Sequence, residues 1–445
     1  MTQAPRRGPL AGIRVLEFSQ VVAGPFCGVV LADLGAEVIK VEPTGGEPYR
    51  NTGTVVPDEG KRFQSLNRGK RSLAVDLHDE RGRALIQRLA RDADVVVINY
   101  RGGVATRLGI DYETLSAINP RLVYCRMTGF GVSAESHDRP ATDPMMQAYS
   151  GLMANAGKVS DEGLPQPVGA TAIADYTTGL GSVAAICAAL YHRRESGRGQ
   201  LIDASLLRSA LAVQDTNVMR EPVWDAVMRD PMVEALEAIR ARGGTYREMI
   251  ETRTNFRTQT MTLRLYSGAY QARDGVIMLG ALTPLSRAAA RRVLGIENDP
   301  TEAPVDPATA ATIQARLGEL HDEISDTIGE RTVSEWMAAF EAGGVPAAPV
   351  NFPEWMGDDP LVRAERIMVD VVHEVTGPQR VVGPLFEMSE TPTAVRGASP
   401  PLGRDTRALL AEAGMNAEEI AALHAAGVVR SHGDRVLGET GPRRA

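Results

Sequence analysis

Asp175 is the residue in this chain best suited to covalent chemistry. It ends the segment Gly169-Ala-Thr-Ala-Ile-Ala-Asp175, whose small and apolar residues predict a strand or extended segment entering a turn. The residues from Ser182 to Tyr191 have helical spacing, so Asp175 is expected at a strand-to-helix junction. Free N–H groups and the helix dipole there favour a negative charge. An aimed carboxylate is a candidate nucleophile, and the N–H groups are candidate oxyanion donors; an ordinary N-cap is the alternative.

Other chemistry has little support in the residue pattern. The seven histidines are dispersed, and the three cysteines, Cys27, Cys125 and Cys187, form no Cys-x-x-Cys motif. We therefore expect no metal site and no disulfide framework, and the cysteines favour a reducing cytoplasm. The sequence also contains no GxGxxG, P-loop or GxSxG motif, so dinucleotide-binding and serine-hydrolase interpretations lack support.

Composition is that of an ordinary soluble protein. The 445 residues carry 48 basic and 56 acidic side chains, for a net charge of −8, which argues against a general nucleic-acid partner. No stretch approaches the roughly 18 uninterrupted apolar residues of a membrane span, and the N-terminus has no apolar core of a secretory signal. We therefore expect a cytoplasmic protein that binds neither nucleic acid nor membrane.

The first part of the chain alternates between strand and helix patterns. Alternation of this kind predicts an α/β fold with a parallel sheet covered by helices, and with ligands at the carboxyl ends of the strands. Gly24-Pro25 is expected to form a turn before the first helix. The predicted strands are 12–18, 36–42, 72–76, 94–99, 122–127 and 201–204, and the predicted helices between the first five are 26–34, 80–92 and 112–118.

The residue pattern changes after residue 220, where charged residues replace the alternating strand and helix patterns. The stretch from 221 to about 262 is charged and begins as a linker, and 263–281 has the pattern of a hairpin with its turn at 272–275. Two helical stretches follow and end near Gly343-Gly344. These patterns predict a smaller α+β domain over residues 240–345.

Six segments together resemble the family III CoA-transferases, the CaiB/BaiF family, which includes formyl-CoA transferase and the carnitine and bile-acid CoA-transferases. The similarity runs over nearly the whole chain, with the segments in order and at the expected spacings. They are Pro9–Phe18 with Ala23-Gly-Pro25, Leu34–Pro43, Asn67–Leu77, Val97-Ile-Asn-Tyr-Arg101, Gly197-Arg-Gly-Gln200 and Gly344–Val350.

This resemblance implies a Rossmann-like large domain made from both chain ends, with the smaller domain inserted. Two such chains are expected to thread through each other as an interlocked homodimer. The implied organisation is 1–220 for the first part of the large domain, 221–239 as linker, 240–345 for the small domain, 346–369 as linker and 370–445 for the rest of the large domain.

The resemblance also implies the reaction. CoA moves from an acyl-CoA donor to a free carboxylic acid through Asp175, which forms a mixed anhydride and then an aspartyl-CoA thioester. CoA thioesters are the substrates, and no metal or permanently bound cofactor is expected.

Seven residues fall on segments similar to CoA-contacting ones. Val22 stands where the formyl-CoA enzyme has Gln, so only a backbone contact is expected there. For Lys40, Arg71 and Arg107 the alternative is a solvated surface cation; for Asp76 it is a helix cap, and for Asn99 and Tyr100 a plain loop. The predicted CoA-binding set is Val22, Lys40, Arg71, Asp76, Asn99, Tyr100 and Arg107.

Two departures limit what the resemblance implies. No glycine-rich run occurs between 240 and 290, so formate–oxalate exchange is disfavoured. The α-methylacyl-CoA racemases of the same superfamily place a His base where this chain has Thr142, and His137 lies five residues earlier. Racemisation is therefore the weaker alternative. A non-catalytic acyl-CoA binder is the third, and it has no need to retain Asp175.

Overall fold

The computed structural model describes residues 7–133, 138–169, 171–258, 265–297, 299 and 310–434. The chain divides into two compact units, one formed by Met1–Arg220 with Pro360–Ala445 and the other by Glu221–Asp359. The first unit is therefore discontinuous in sequence.

A seven-stranded sheet forms the centre of the first unit. Its strand order is β12-β3-β2-β1-β4-β5-β6, with all neighbours parallel except β12, which pairs antiparallel with β3. The sheet is therefore parallel with one antiparallel edge strand. The strands are β1 Arg14–Phe18, β2 Glu37–Glu42, β3 Arg71–Val75, β4 Val95–Ile98, β5 Val123–Thr128, β6 Leu201–Ser205 and β12 Val429–Arg430.

The order of the six parallel strands is that of a Rossmann fold. Strand order reverses between β1 and β4, and in open α/β sheets ligands bind at the carboxyl ends of the strands beside this point. The residues that follow β1 and β4 are therefore where a site is expected.

The strands are apolar on both faces because helices cover both faces. Val15 packs into one buried cluster, while its neighbour Leu16 packs into the other. Side chains alternate between the faces of a strand, so a strand buried on both sides must be apolar throughout. This is why the strand predictions are confirmed to within one or two residues.

Twelve α-helices lie in the described part of the first unit. Those on the first 220 residues are α1 Ala23–Asp33, α2 Lys61–Asn67, α3 Glu80–Ala90, α4 Gly102–Arg107, α5 Tyr112–Ile118, α6 Asp143–Tyr149, α7 Leu152–Ala156, α8 Ile173–Ser196 and α9 Leu206–Ala212. Three more near the C-terminus are α16 Pro360–Ala364, α17 Thr406–Glu412 and α18 Ala417–Ala425, and a short 3-10 turn spans Pro48–Arg50.

A second 3-10 turn in the described part of this unit spans Asp215–Asn217.

Helix α1 begins earlier than the sequence predicts. It starts at Ala23 instead of Phe26, so Gly24 and Pro25 lie in its first turn and do not form a separate turn. Proline is tolerated at this position because the first N–H groups of a helix have no intrahelical acceptor. The consequence is that the helix N-terminus lies directly against the loop that follows β1.

Helix α8 carries Asp175 in its first turn, but the strand predicted before it is absent from the described residues 169 and 171–172. These residues form a bend that leads directly into the helix. By length and composition α8 is apolar enough to cross a membrane. Its residues Ile186, Ala189 and Leu190 are nevertheless buried against the sheet, as in the core helix of a globular unit.

Helices α1 and α8 pack closely because α8 has a glycine at their contact. A Cβ atom on Gly179 would lie 2.8 Å from the carbonyl oxygen of Ala23 and 3.2 Å from Phe26. Nearer the N-terminus of α8, the rings of Phe26 and Tyr176 meet edge to face with centroids 4.7 Å apart. The two helix N-termini are thereby held close together.

The C-terminal part of the first unit adds only one short strand to the central sheet. Its longer strands, β10 Met368–His373 and β11 Gly377–Val382, pair with each other as a separate antiparallel ribbon. Both chain ends therefore contribute to the central sheet, but the C-terminal strand β12 is antiparallel to its neighbour β3.

The second unit combines helices with a three-stranded antiparallel sheet, in the order β7-β8-β9. The predicted hairpin is present as β7 and β8, with its turn at Arg273-Asp274; residues 263 and 264 lie outside the described residues. The elements are α10 Pro222–Trp224, a π-helical segment Asp225–Arg229, α11 Asp230–Ala241, α12 Tyr246–Thr258, β7 Ala269–Ala272, β8 Gly275–Leu279, α13 Pro284–Leu294, α14 Ala310–Gly329, α15 Val333–Gly343 and β9 Ala347–Pro349.

Both predicted linkers contain regular structure. Residues 221–239 are largely helical and run into α11, and β9 lies inside the stretch 346–369 and pairs with β8. Charged residues at exposed positions of these helices make the sequence resemble a linker, although the backbone forms helices and a strand.

Candidate active site

Two neighbouring cavities lie at the carboxyl edge of the parallel strands. The smaller has a volume of about 450 Å³ and is lined by Asp175, and the larger has a volume of about 680 Å³ and is lined by residues after β2, β3 and β4. They share eight lining residues and are therefore adjacent along this edge of the sheet. The shared lining residues are Gln20, Val21, Asn99, Met127, Thr128, Gly129, Ala141 and Thr142.

Asp175 is the third residue of α8, and its carboxylate lines the smaller cavity. That carboxylate accepts no hydrogen bond from the part of the chain that the structure describes. Burial is the larger cause and the negative charge of Asp143 the smaller, and together they raise the pKa of Asp175 to about 7. Asp175 is therefore a carboxyl group without hydrogen-bond donors from the described chain, and near neutral pH both its ionised and its neutral forms are populated.

Asp143 performs the capping that the sequence suggests for Asp175. Its buried Oδ2 accepts hydrogen bonds from the backbone N–H groups of Ala174 at 2.7 Å and Asp175 at 3.2 Å. Its Oδ1 accepts a hydrogen bond from Gln147 at 2.6 Å. Because Asp143 caps the helix, the Asp175 side chain is left available to the cavity.

The expectation that the N–H groups beside Asp175 stabilise an oxyanion is wrong. Besides the two groups bonded to Asp143, the N–H of Ile173 donates to Thr171 O and that of Tyr176 donates to Ala172 O. The first turn of α8 therefore has its donors occupied. The N-terminus of α1, whose residues Val22 and Ala23 line the same cavity, is a second helix end at this site.

The loop between β1 and α1 is fixed by side chains from neighbouring strands. The Asn99 side chain accepts a hydrogen bond from the Gln20 N–H at 3.0 Å and donates one to Gln20 O at 2.7 Å. Glu47 accepts a hydrogen bond from the Val21 N–H at 2.9 Å. Val21 has φ of 71°, a left-handed conformation that is unfavourable for a β-branched residue. The loop therefore holds a strained residue at the wall of both cavities.

Lys40 lies inside the protein and not at a phosphate site. Its Nζ donates to Glu17 Oε1 at 3.1 Å and to Ser19 O at 2.8 Å, and its side chain is fully buried. Glu17 also pairs with buried Lys70 at 2.7 Å. A cation enclosed in this way supports the loop after β1 and has no surface to offer a ligand, so the predicted CoA contact of Lys40 is corrected.

Arg71 and Arg107 also lie away from the cavities. Arg71 begins β3, at the opposite edge of the sheet, where it pairs with Glu37 and Glu412. Arg107 ends α4 as an exposed residue and lines neither cavity. The predicted CoA contact of Arg71 is corrected, because β3 begins at the edge of the sheet far from the site. The predicted contact of Arg107 stays a prediction.

The other predicted residues are brought together at the two cavities. Val22 lines the smaller, Asp76 and Tyr100 line the larger, and Asn99 lines both. Asp76 also accepts a hydrogen bond from the His78 N–H at 2.8 Å. The alternative of a helix cap is not its role, because the N-cap of α3 is Asp79. Asn99 combines a cavity position with its bonds to Gln20.

Several functional candidates were not singled out from the sequence. Arg101 is the last residue of one CoA-transferase-like segment and His78 directly follows another, and these positions are a sequence signal for both. Arg139, Arg62, Tyr49 and Asp143 have no comparable signal in the sequence. The larger cavity is lined by His78, Arg101 and Arg139, and the smaller by Tyr49, Arg62 and Asp143.

Thr142 lines both cavities at the position where the related racemases have a base. It precedes α6 and its hydroxyl makes no capping hydrogen bond. His137, the nearest histidine in sequence, lies outside the described residues. Among the residues that are described, no group of three or more His, Cys, Asp or Glu side chains is arranged to hold a metal ion.

Comparison with known proteins gives one consistent family. The model of CoA-transferase family III matches residues 10–406. The chain is 35% identical to a succinate–glutarate CoA-transferase of Agrobacterium fabrum, over 93% of this chain and 98% of that protein. It is 31% identical to the human succinyl-CoA:glutarate CoA-transferase, over 95% of this chain and 90% of the relative.

A further relative and two solved structures agree with this family. The beta subunit of a succinyl-CoA–L-malate CoA-transferase of Chloroflexus aurantiacus is 31% identical, over 95% of this chain and 98% of that subunit. A CaiB/BaiF family protein of Brucella suis superposes with a TM-score of 0.69 at 28% identity, covering 92% of this chain and 100% of that one. A Mycobacterium tuberculosis protein gives a TM-score of 0.71 at 26% identity, covering 91% and 100%.

Proposed function

We propose, from the premise that the chain belongs to CoA-transferase family III, that it moves CoA from an acyl-CoA donor to a free carboxylic acid through a covalent intermediate on Asp175. The observation that carries the proposal is the Asp175 carboxylate, which lines a cavity while Asp143 takes over the capping of its helix. A carboxylate with no structural hydrogen bonds is free to attack a substrate.

The proposed reaction has four steps. The Asp175 carboxylate attacks the donor thioester, which releases CoA thiolate and leaves an acyl-aspartyl anhydride. The thiolate attacks the aspartyl carbonyl, which releases the donor acid and leaves an aspartyl-CoA thioester. The acceptor carboxylate attacks that thioester and again releases thiolate, which finally attacks the acceptor carbonyl to give acceptor-CoA and free Asp175. Each bond broken is replaced by one of comparable reactivity, so the thioester energy is retained.

The two cavities suit the two parts of an acyl-CoA. We assign the acyl group and reacting carbonyl to the smaller cavity with Asp175, and CoA to the larger cavity, which His78, Arg101 and Arg139 line. Arginine side chains are suited to phosphates because their planar donors match the oxygen geometry. The N-terminus of α1 beside Asp175 is the proposed source of oxyanion stabilisation, since its first N–H groups have no intrahelical acceptor.

The relatives named above guide the choice of acids to test. They are named for succinate, glutarate and L-malate, so short dicarboxylic acids are the first acceptors to assay, with succinyl-CoA as donor.

Trapping of the intermediate tests the proposed mechanism. Incubation with donor acyl-CoA followed by hydroxylamine is expected to give a hydroxamate at Asp175, found by peptide mass spectrometry. Asp175→Ala is expected to lose transfer and labelling, while Asp92→Asn, at an exposed surface position, keeps both. Substantial turnover in Asp175→Ala, or labelling at another carboxylate only, would overturn the mechanism.

Epimerisation is expected to be minor, because Thr142 cannot serve as the second base. In D₂O without an acceptor acid, a 2-methylacyl-CoA should gain almost no α-deuterium. Rapid deuterium uptake would instead identify the protein as a racemase.

We infer the quaternary structure and compartment from the family. The chain is proposed to form an interlocked homodimer in the cytoplasm, where its cysteines stay reduced. Interlocked chains part only by unfolding, so differently tagged dimers should not exchange on dilution over hours. Fast exchange, or a monomer in sedimentation, would refute the interlocked arrangement, and cell fractionation tests the compartment.

A further inference from the structure

The smaller cavity contains a single cationic lining residue among the residues described, and this is Arg62. It projects from α2, and its Nη1 donates to the Tyr49 hydroxyl at 3.3 Å, with the guanidinium 5.6 Å from the centre of the Tyr49 ring. Arg62 forms no ion pair within the described part of the chain. An unpaired arginine at the wall of a reaction cavity is available to bind an anionic group of the substrate.

The segments that carry these two side chains are held rigidly. Arg50, next to Tyr49, is fully buried and makes two hydrogen bonds to Glu42, at 2.7 and 2.8 Å. It also lies over the ring of Phe63, next to Arg62, at 3.6 Å from the centroid. The contact between Arg50 and Phe63 therefore holds the two backbone segments together, and the side chains of Arg62 and Tyr49 line the smaller cavity.

The charge of Arg62 is not used to ionise the nucleophile. Burial and Asp143 both raise the pKa of Asp175, and no cation opposes them. Burial also raises the pKa of Tyr176, and here the Arg62 charge opposes the rise. The Arg62 charge therefore acts on Tyr176, the residue after Asp175, and is not among the causes that shift the pKa of Asp175.

We propose that the acceptor is a short dicarboxylic acid, and that Arg62, together with the Tyr49 hydroxyl, binds its second carboxylate while the first reacts at Asp175. This inference rests on the proposed function and adds the residue that selects the substrate. A substrate with one carboxylate leaves Arg62 unpaired, whereas a second carboxylate gives it a charge-assisted partner.

Paired acids of equal length test the proposal. Initial rates are measured with acetyl-CoA, whose acyl group has no second carboxylate to bind Arg62, and, in turn, glutarate, glutarate monoamide and pentanoate. Wild-type protein should prefer glutarate over both analogues. Arg62→Gln should lower kcat/KM for glutarate about 10- to 100-fold, the usual effect of losing a charge-assisted hydrogen bond, while the rate with pentanoate stays within about twofold.

Two further variants distinguish a loss of acceptor selectivity from a general loss of activity. Arg62→Lys keeps the charge and should recover part of the glutarate rate, and Lys61→Gln removes a neighbouring exposed charge that lines a different groove and should have no effect. Equal losses with glutarate and pentanoate in Arg62→Gln, or no preference for glutarate in the wild type, would overturn the proposal. If donor acyl-CoA also fails to label Asp175, the proposed function itself has failed; labelling with no selectivity overturns the Arg62 assignment alone.

Discussion

Asp143 Oδ2 lies 3.2 Å from the backbone nitrogen of Asp175 and accepts its hydrogen bond. One aspartate therefore caps the helix that presents the other, and its charge raises the pKa of the residue it positions. The arrangement fixes where the nucleophile stands and also sets the pH at which it ionises.

The first prediction concerns the pH dependence of transfer. Only the ionised form of Asp175 is nucleophilic, so kcat/KM should fall as the pH drops below about 7, the pKa of Asp175. Asp143→Asn removes the neighbouring charge and should move this midpoint to lower pH. The midpoint should stay above the usual range of an aspartate, since burial is the larger cause. An unchanged midpoint in Asp143→Asn would show that Asp143 does not act on the ionisation of Asp175.

The second prediction concerns stability. The pKa of Asp175 is raised in the folded protein, so the stability that this residue contributes is greatest below its unfolded pKa and is lost as the pH rises through about 7. At pH 8 the buried charge should cost on the order of 1–3 kcal/mol. Asp175→Asn should therefore be more stable than wild type at pH 8, with a smaller advantage at pH 5. Thermal unfolding at both pH values measures this, and Asp92→Asn should show no such trend.

The third prediction concerns the contact between α1 and α8. Gly179→Ala would place a Cβ atom 2.8 Å from the Ala23 carbonyl oxygen, which must push the helices apart at a cost of about 1–3 kcal/mol. Both helices line the smaller cavity, so kcat should fall as well. Gly181→Ala is the matched control, because a Cβ atom there meets nothing within 4 Å and the helix gains up to about 1 kcal/mol. Equal stability of the two variants would contradict the close packing.

The fourth prediction concerns the strained residue after β1. Val21 has φ of 71°, which costs about 1–3 kcal/mol for a residue of this type, whereas glycine adopts it freely at an entropic cost of about 0.5–1 kcal/mol. Val21→Gly should therefore keep or raise the unfolding temperature, and Val21→Ala should gain less because it retains a Cβ atom. A clear loss of stability in Val21→Gly alone would argue against strain at this residue.

The sequence predicts the core of the first unit well because its signal is local. Strands such as Val95–Ile98 are short apolar runs, and helix α3 has Asp79 as its N-cap, whose side chain accepts a hydrogen bond from the Arg81 N–H. The fold class and the position of Asp175 on a helix follow from such patterns and from the family resemblance. The strand predicted before Asp175 is absent because small apolar residues also suit an irregular segment that closes a cavity.

The roles of individual cations depend on pairing across the fold, which local patterns do not contain. Arg71 pairs with Glu412, 341 residues away in sequence, and Lys40 becomes buried only when β1 and β2 bring it to Glu17. Arg62 carries no ion pair in the described structure, and only the folded chain shows that it lines the cavity of Asp175. Whether a cation is buried in an ion pair or lines the cavity thus depends on residues that are distant from it in sequence.

The discontinuous first unit has a consequence for how the protein is made. Strand β12 completes the sheet beside β3, and buried Arg50 donates to Pro400 O, 350 residues later in the sequence. At ribosomal rates of roughly 5–20 residues per second, the partners of these groups emerge about 20–70 s after them. The whole second unit is synthesised within that interval, and during it the edge of β3 that later pairs with β12 has no strand partner. Newly made chains are therefore most exposed to mispairing and to chaperone capture before the last 50 or so residues emerge.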